Sequence, residues 1–188
     1  MENKLTTEKV VDVKDLHISF RTFKGYPHVL NGVNVHVNKK ERISIVGETG
    51  CGKTTTVNAI AQILARQARI DKGEIYFKGK DVLTMPQKEL KRVRAENVSI
   101  IFQDPIASLN PVFTIGQQLK EVIRYSGIEG AGDKKVQEEK AISALKETSL
   151  PDPERIMDSY PFQLSGGMRQ RICIAMSLAT PRDLVMAD

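Results

Sequence analysis

The sequence predicts an α/β fold, in which a parallel sheet core is joined to an antiparallel β subdomain and interrupted by a helical insert. Alternating apolar residues from residue 9 onwards predict the antiparallel strands. A glycine-rich segment at residues 47–55 stands between a strand-like and a helix-like run, as expected in a parallel sheet core. Residues 106–164 read as helices between two further strand-like runs, which predicts the insert.

The segment before the glycine-rich stretch predicts strands and a loop. Residues 9–20 predict a strand, and a break in their alternation indicates a β-bulge near Asp15. Residues 21–28 predict a loop, and valines at alternate positions over 33–37 predict a half-buried strand. An aromatic side chain here could stack on a nucleotide base, and core packing is the alternative for each candidate. The candidates are Phe20, Phe23 and Tyr26.

The most informative stretch is Gly47-Glu48-Thr49-Gly50-Cys51-Gly52-Lys53-Thr54-Thr55, here called the P-loop. An apolar run at 42–46 predicts a strand before it, and apolar residues at helical spacing predict a helix over 56–69. Strand, glycine loop and helix are the context in which the pattern GxxxxGK[ST] binds phosphate. A glycine turn that matches by chance is the alternative, and the flanking elements argue against it.

The residue types in the P-loop are those that phosphate and magnesium binding require. Its glycines allow positive φ and let backbone N–H groups approach a phosphate chain, and the following helix adds its positive dipole end. Lys53 supplies a positive charge for the β- and γ-phosphates, and the Thr54 hydroxyl is a ligand for Mg²⁺. The P-loop therefore predicts binding of a nucleoside triphosphate with magnesium.

Strands and a helix are predicted after the P-loop. Residues 74–77 predict a short strand, and 86–94 predict a basic helix whose charges form either an anion patch or, as is commoner, a solvated face. Apolar residues 98–102 predict another strand, which ends at Gln103 because Pro105 cannot continue a central strand.

The predicted insert contains two helices, at 115–125 and 136–148, and prolines then break the chain. Ser165 follows as the predicted N-cap of a helix over 168–179. Residues 183–188 predict an apolar strand that ends in a carboxylate.

Two of these positions add to the P-loop chemistry. In sites of this kind, a carboxylate at the end of a strand beside the P-loop completes the ligand shell of Mg²⁺. Asp188, at the end of its predicted strand, is the candidate for this carboxylate. Ser165, Gly166 and Gly167 at a helix N-terminus form a second anion site, which one triphosphate on one P-loop does not need. An ordinary capped helix is the alternative for this segment taken alone.

Together these motifs resemble the ATP-binding subunit of an ABC transporter. Four motifs carry the resemblance: the Walker A motif at 47–54, the Q-loop at Gln103, the signature at 164–168 and the Walker B motif at 184–188. Two longer stretches, IFQDPIASLNP at 101–111 and LSGGMRQR at 164–171, resemble the dipeptide/oligopeptide (and nickel) importer branch.

The resemblance implies a RecA-like P-loop NTPase core that binds ATP and Mg²⁺ and hydrolyses ATP. It implies catalytic roles for Lys53 and Gln103, and magnesium ligation by Thr54, Gln103 and Asp188. Phe20 matches the adenine-stacking aromatic of the family best, and Phe23 and Tyr26 stay open. The implied ATP contacts are Phe20, Gly47, Glu48, Thr49, Gly50, Cys51, Gly52, Lys53, Thr54, Thr55, Gln103, Ser165, Gly166 and Gly167.

The resemblance also implies partners. Two ATP-binding subunits, identical or different, close head to tail, so that Ser165 and Gly167 of one grip the γ-phosphate held by the P-loop of the other. Gln103 links the magnesium site to the insert, which docks on a transmembrane permease subunit. An extracytoplasmic solute-binding protein acts indirectly, and the chain is expected to be peripheral on the cytoplasmic face of the membrane. The solute is left open, because its recognition lies in the other subunits.

The resemblance further implies a general-base glutamate directly after Asp188 and a switch histidine downstream, and the 188 residues end at Asp188. His17, His28 and His36 all precede the P-loop and cannot replace the switch histidine. We expect a truncated piece of a longer subunit, which binds ATP weakly and is nearly inactive alone. Extending it with the glutamate and histidine is expected to restore turnover.

Composition and charge narrow the function classes. No apolar run reaches the roughly eighteen residues of a membrane span, and the chain starts without an apolar signal region, which predicts a cytosolic location. The net charge is +5, but the 28 basic and 23 acidic residues are interspersed, which argues against a nucleic-acid partner. Cys51 and Cys173 predict reduced thiols.

Two alternatives to an importer ATPase remain. One is a soluble ABC-type ATPase acting on nucleic acid or ribosomes, against which the short insert and the importer-like stretch argue. The other is a non-hydrolytic ATP-binding module paired with an intact partner. The predicted domains are residues 1–103 for the β subdomain and P-loop core, 104–164 for the helical insert, and 165–188 for the signature helix and Walker B strand.

Overall fold

A computed structural model describes residues 8–188 of the chain. These residues form two compact units, one ending at Leu90 and the other beginning at Lys91. Within the described range, no helix has both the length and the apolar character needed to cross a membrane.

The first unit contains a four-stranded antiparallel sheet in the order β2-β1-β3-β4. Its strands are β1 (Lys9–Phe20), β2 (His28–Asn38), β3 (Ala68–Phe77) and β4 (Lys80–Asp81). The predicted antiparallel β subdomain is therefore confirmed, and β3 is longer than the short strand predicted at 74–77.

The predicted bulge lies at Asp15, which has a φ of 46° and falls where the register of β1 shifts against both β2 and β3. Gly73 of β3 passes close to it, and a Cβ on Gly73 would lie 2.6 Å from the Asp15 carbonyl oxygen. The Asp15 carboxylate pairs with Lys72 at 2.5 Å and His17 at 2.9 Å. Hydrogen bonds from Lys72 and then His17 hold the pKa of Asp15 below its ordinary value. The bulge is thus fixed by side chains of both β1 and β3.

The strand predicted at 42–46 is wrong. These residues belong to no strand of the described chain, and Ile43, Ile45 and Val46 are exposed. A strand needs a neighbour that pairs its backbone N–H and C=O groups, and the described residues place none beside this run. The apolar composition of the run was therefore not enough to form a strand.

The helix predicted over 56–69 is also wrong at both ends, because α1 spans Lys53–Ile60. Gln62 has a φ of 56°, and its side-chain Nε2 donates to the Ala59 carbonyl at 2.6 Å. A left-handed residue just after a helix ends it while satisfying its last carbonyl groups. Residues from Ala68 onwards pair with β1 instead, so sheet formation prevails over the helical spacing.

The second unit combines a parallel strand pair with helices. β5 (Val98–Ile101) and β6 (Leu184–Ala187) pair in parallel, which confirms the predicted parallel arrangement for these two strands. The helices are α2 (Gln87–Glu96), which contains the boundary between the units, α3 (Pro105–Ser108), α4 (Ile115–Arg124), α5 (Lys134–Glu147), α6 (Pro153–Asp158) and α7 (Gly166–Leu178), with a 3₁₀ turn at Pro161–Gln163.

The predicted insert helices are confirmed as α4 and α5, while α3 and α6 were missed because they are too short to show a period. Both short helices begin with an aspartate N-cap followed by proline, Asp104 and Asp152, which is the signal that could have located them.

Helices α4 to α7 pack on one apolar core. Its completely buried side chains include Ile115, Leu119, Ile123, Ala141, Leu145, Ile156, Ile172 and Ala175. The insert helices and α7 thus share one core within the unit that begins at Lys91. The boundaries at 103/104 and 164/165 stay a prediction based on motifs.

Gly116→Ala is expected to destabilise this core. A Cβ on Gly116 would lie 2.7 Å from the Met157 carbonyl oxygen, so α4 and α6 would have to separate. The cost should be about 1–3 kcal/mol in the free energy of unfolding, although alanine is the better helix former. Urea unfolding measures it. Gly132→Ala is the control, because a Cβ there meets nothing within 4 Å, and equal stability of the two variants would contradict the prediction.

Candidate functional site

The P-loop turns into α1 through two glycines with positive φ, Gly50 at 83° and Gly52 at 97°. Gly52 is buried, and a Cβ on it would meet the Leu30 Cδ2 at 2.5 Å and the Val29 carbonyl oxygen at 3.3 Å. Both the conformation and the close approach to β2 therefore require glycine at this position. The contact between Gly52 and β2 was not predicted, because local sequence patterns do not show which distant residues come into contact.

The Lys53 ammonium lies across the P-loop. Its Nζ donates to the carbonyl oxygens of Gly47 at 2.8 Å and Glu48 at 2.7 Å, and it lies 3.7 Å from the Cys51 Sγ. The positive charge is thereby held within the loop and near the start of α1. The P-loop residues 47–51 are all exposed, so a ligand can reach this charge from solvent.

The residues of the P-loop fit a triphosphate. The first N–H groups of a helix have no partner within the helix and attract anions, and Lys53 is the first residue of α1. A Cβ on Gly50 would meet nothing within 4 Å, so the backbone there is open to a ligand. Thr54 is exposed beside Lys53, and Thr55 is half-buried. The loop thus combines open backbone, positive charge and a hydroxyl.

Phe20 lies on the side of the sheet that contacts the P-loop. At the end of β1, Ile18, Ser19 and Phe20 pair regularly with Ile70, Arg69 and Ala68 of β3. Because neighbours along a strand point to opposite faces, Phe20 shares its face with Ile18. Ile18 pairs with Leu30, the residue that approaches Gly52. Phe20 is half-buried.

The other two aromatic candidates lie in the loop that follows. Phe23 is completely exposed at the tip of a turn closed by Thr22 and Gly25. Tyr26 is 54% exposed, and the Arg69 guanidinium lies over its ring, 5.7 Å from the centroid. The contact between Tyr26 and Arg69 was not predicted from the sequence.

Gln103 and Asp188 both follow the carboxyl ends of the parallel strand pair. Ile101 pairs with Ala187, and the Asp188 backbone N–H donates to the Ile101 carbonyl at 3.0 Å. Both side chains are exposed. Two of the three predicted magnesium ligands therefore follow neighbouring strand ends in the second unit, while Thr54 belongs to the first unit. Their role as ligands stays a prediction.

The signature segment forms an open helix N-terminus. The Ser165 hydroxyl accepts a hydrogen bond from the Met168 N–H at 3.3 Å, which confirms the predicted cap. Gly166 and Gly167 are exposed, and a Cβ on either would meet nothing within 4 Å. The first turn of α7 therefore presents backbone without covering side chains. Whether a nucleotide binds there stays a prediction.

Both cysteines are free thiols in the structure, Cys51 exposed in the P-loop and Cys173 buried on α7. Burial raises the pKa of the Cys173 thiol, with a further contribution from the charge of Asp104. Among the described residues, no group of three or more histidine, cysteine or acidic side chains could hold a metal ion. The predicted magnesium ligands include a threonine and a glutamine, which are residue types that such a cluster does not contain.

Comparisons with known proteins agree with these motifs. The family described as "ABC transporter" matches residues 30–188. The oligopeptide transport ATP-binding protein OppD of Bacillus subtilis is 40% identical over 182 residues, covering 96% of this chain and 50% of OppD. The dipeptide transport ATP-binding protein DppD of Bacillus subtilis is 41% identical over 183 residues, covering 96% of this chain and 53% of DppD. The chain therefore spans about half the length of these curated relatives.

Solved structures show the same fold. The dimeric structure of MJ0796, a bacterial ABC transporter cassette, matches with a TM-score of 0.84 and 26% identity, over 95% of this chain and 73% of that one. A dimeric post-hydrolysis state of the ATP-binding cassette MJ0796, bound to ADP and Pi, matches with a TM-score of 0.83 and covers the same shares. These matches confirm the predicted α/β fold of the P-loop NTPase class.

Proposed function

Because this chain belongs to the ABC transporter family, we propose that it is the nucleotide-binding part of an importer subunit that couples ATP binding and hydrolysis to uptake of di- or oligopeptides or a related solute. The single observation that carries the proposal is the P-loop, with Lys53 held across it and open backbone beside it. The names of OppD and DppD support peptides as the solute class.

The P-loop residues supply binding and charge neutralisation. The N–H groups at the start of α1 and the Lys53 ammonium would hold the β- and γ-phosphates, and Phe20 would stack on adenine. Magnesium, when bound, neutralises the charge that develops during phosphoryl transfer. Thr54, Gln103 and Asp188 would hold it, and their hydroxyl, amide and carboxylate oxygens are ligands that Mg²⁺ accepts.

A second copy or a homologous subunit would complete the site. The open N-terminus of α7, with Ser165, Gly166 and Gly167, would bind the γ-phosphate held by the partner's P-loop. The dimeric state named for the MJ0796 structures supports this arrangement. The insert would dock on transmembrane permease subunits, with an extracytoplasmic solute-binding protein acting indirectly, and this would hold the protein at the cytoplasmic face of the membrane.

Co-purification tests the assignment to transport. We expect the full-length protein to purify from detergent-solubilised membranes with transmembrane subunits, and to stimulate uptake of labelled peptides that depends on ATP. Co-purification with ribosomes or nucleic acid instead would contradict the proposal and support the alternative ATPase class. A polypeptide of only these 188 residues would lack the glutamate that the family places after Asp188, so we propose that alone it binds ATP weakly and hydrolyses it hardly at all.

Thr54→Ala is expected to remove most of the magnesium dependence of ATP binding. The variant lacks the only hydroxyl that the P-loop pattern assigns to the metal. The gain in ATP affinity on adding Mg²⁺ should fall by about tenfold or more. Calorimetry in the presence of Mg²⁺ and of EDTA measures this gain, and the EDTA titration is the internal control. An unchanged magnesium dependence would contradict the ligand role of Thr54.

A further inference from the structure

We propose that Arg69 is a positioning residue for nucleotide binding, which holds the loop at residues 21–27, here called the base loop, against β3 through the Tyr26 ring. The inference rests on the proposed function, since it concerns how the protein holds the base of ATP. It assigns a role to a residue outside every motif recognised in the sequence.

The backbone of the base loop is a narrow hairpin. The Phe20 N–H donates to the Pro27 carbonyl at 3.1 Å, and the Arg21 N–H donates to the Gln67 carbonyl at 2.8 Å. Thr22 and Gly25 exchange backbone hydrogen bonds at 2.8 and 3.3 Å at the tip. Apart from Gly25, the loop residues are exposed, so these bonds compete with water and can open locally at low cost.

Arg69 adds a side-chain contact to this hairpin. Its guanidinium lies over the Tyr26 ring, 5.7 Å from the centroid, which is within the range of a cation–π interaction. The Arg69 Nε is fixed from the other side by the Asp71 Oδ1 at 2.8 Å. The Asp71 side chain is only 17% exposed, so it offers a stable anchor on β3. Tyr26 is thereby tied to β3 through two side chains.

Arg69 acts from the face of the sheet opposite to Phe20. Arg69 pairs with Ser19, and the neighbouring pair is Phe20 with Ala68, so the two side chains point to opposite faces. Arg69 therefore supports the loop without lying on the face of Phe20, the predicted stacking residue. This is why its role is one of position and not of contact with the nucleotide.

The base loop also connects Phe20 to the P-loop. Pro27 accepts the hydrogen bond from Phe20, and two residues later the Val29 carbonyl oxygen packs against Gly52 at the start of α1. A base loop that opens would therefore move Phe20 relative to the phosphate site. Adenine affinity would fall, while the phosphate site, held by α1 and β2, would remain.

The test compares ATP with inorganic tripolyphosphate, which has the phosphates but no base. In Arg69→Gln, the Kd for Mg-ATP should rise about two- to fivefold, the loss expected for one exposed cation–π contact. The Kd for tripolyphosphate should not change. Arg66→Gln is the matched control, because it removes the same charge from an exposed position near the base loop. Arg69→Lys keeps a cation for the ring and should retain most of the ATP affinity.

Hydrogen exchange provides a second readout. The amides of Phe20 and Arg21 should exchange faster in Arg69→Gln than in the parent protein, and those of Arg66→Gln should not. The inference is overturned if ATP affinity is unchanged in Arg69→Gln, or if ATP and tripolyphosphate weaken equally. Failure of the parent protein to bind either compound would instead overturn the proposed function, and the inference with it.

Discussion

Lys53→Ala is expected to abolish measurable binding of Mg-ATP at micromolar concentrations. The Lys53 ammonium is the one side-chain cation of the P-loop, and hydrogen bonds between charged groups contribute about 1.5–3 kcal/mol each. Loss of contacts to two phosphates should therefore raise the Kd about 100-fold or more. Isothermal titration calorimetry with Mg-ATP and with tripolyphosphate measures the effect, and both ligands should lose affinity.

The control for this variant must separate binding from folding. Lys53 also donates to the Gly47 and Glu48 carbonyls, so its removal could loosen the P-loop itself. Thermal unfolding of Lys53→Ala should stay within a few degrees of the parent protein, because those carbonyls are exposed and can bind water. Lys39→Ala removes a charge from an exposed position outside the P-loop and should leave affinity unchanged. Tight ATP binding by Lys53→Ala would contradict the assignment of the P-loop.

Gly73→Ala should produce the largest loss of stability. Gly73 has a φ of 112°, and a Cβ there would lie 2.6 Å from the Asp15 carbonyl oxygen and from the Leu16 Cα. These are backbone atoms of β1, which cannot rotate away as a side chain could. The cost combines an unfavourable φ with an overpacked contact, and it should reach about 3 kcal/mol or more in the free energy of unfolding.

Gly79→Ala separates the two contributions. Gly79 also has a positive φ, 77°, but a Cβ there meets nothing within 4 Å. Its cost should be about 1–2 kcal/mol, which comes from the backbone conformation alone. Urea unfolding of both variants gives the contribution of the contact as a difference. If Gly73→Ala lost no more stability than Gly79→Ala, the close packing of β3 on the bulge would be contradicted.

Local patterns predicted the features that depend on a few neighbouring residues. The bulge at Asp15 was visible as a break in alternation, and the Ser165 cap was visible as a serine before a helical period. The P-loop was recognised because its spacing of glycine, lysine and threonine is tied to one chemistry. In each case the residues that determine the structure are adjacent in the chain.

Features that depend on distant partners were not predicted. The run at 42–46 has the composition of a strand, but pairing and not composition makes a strand, and it lies exposed. The helix was predicted to continue to residue 69, but residues from Ala68 onwards belong to β3 and pair with β1. The contact of Arg69 with Tyr26 joins two segments that share no motif. Single-sequence patterns carry no information about such contacts.

The common core of α7 and the insert has a mechanical consequence. Ile172 of α7 and Ile156 of α6 are completely buried in the same cluster, so these helices cannot tilt independently without opening cavities. A displacement of the insert helices would therefore also displace α7, including Ser165 at its N-terminus. If the insert binds a membrane partner, as proposed, movement at that contact would also move the segment proposed to bind phosphate.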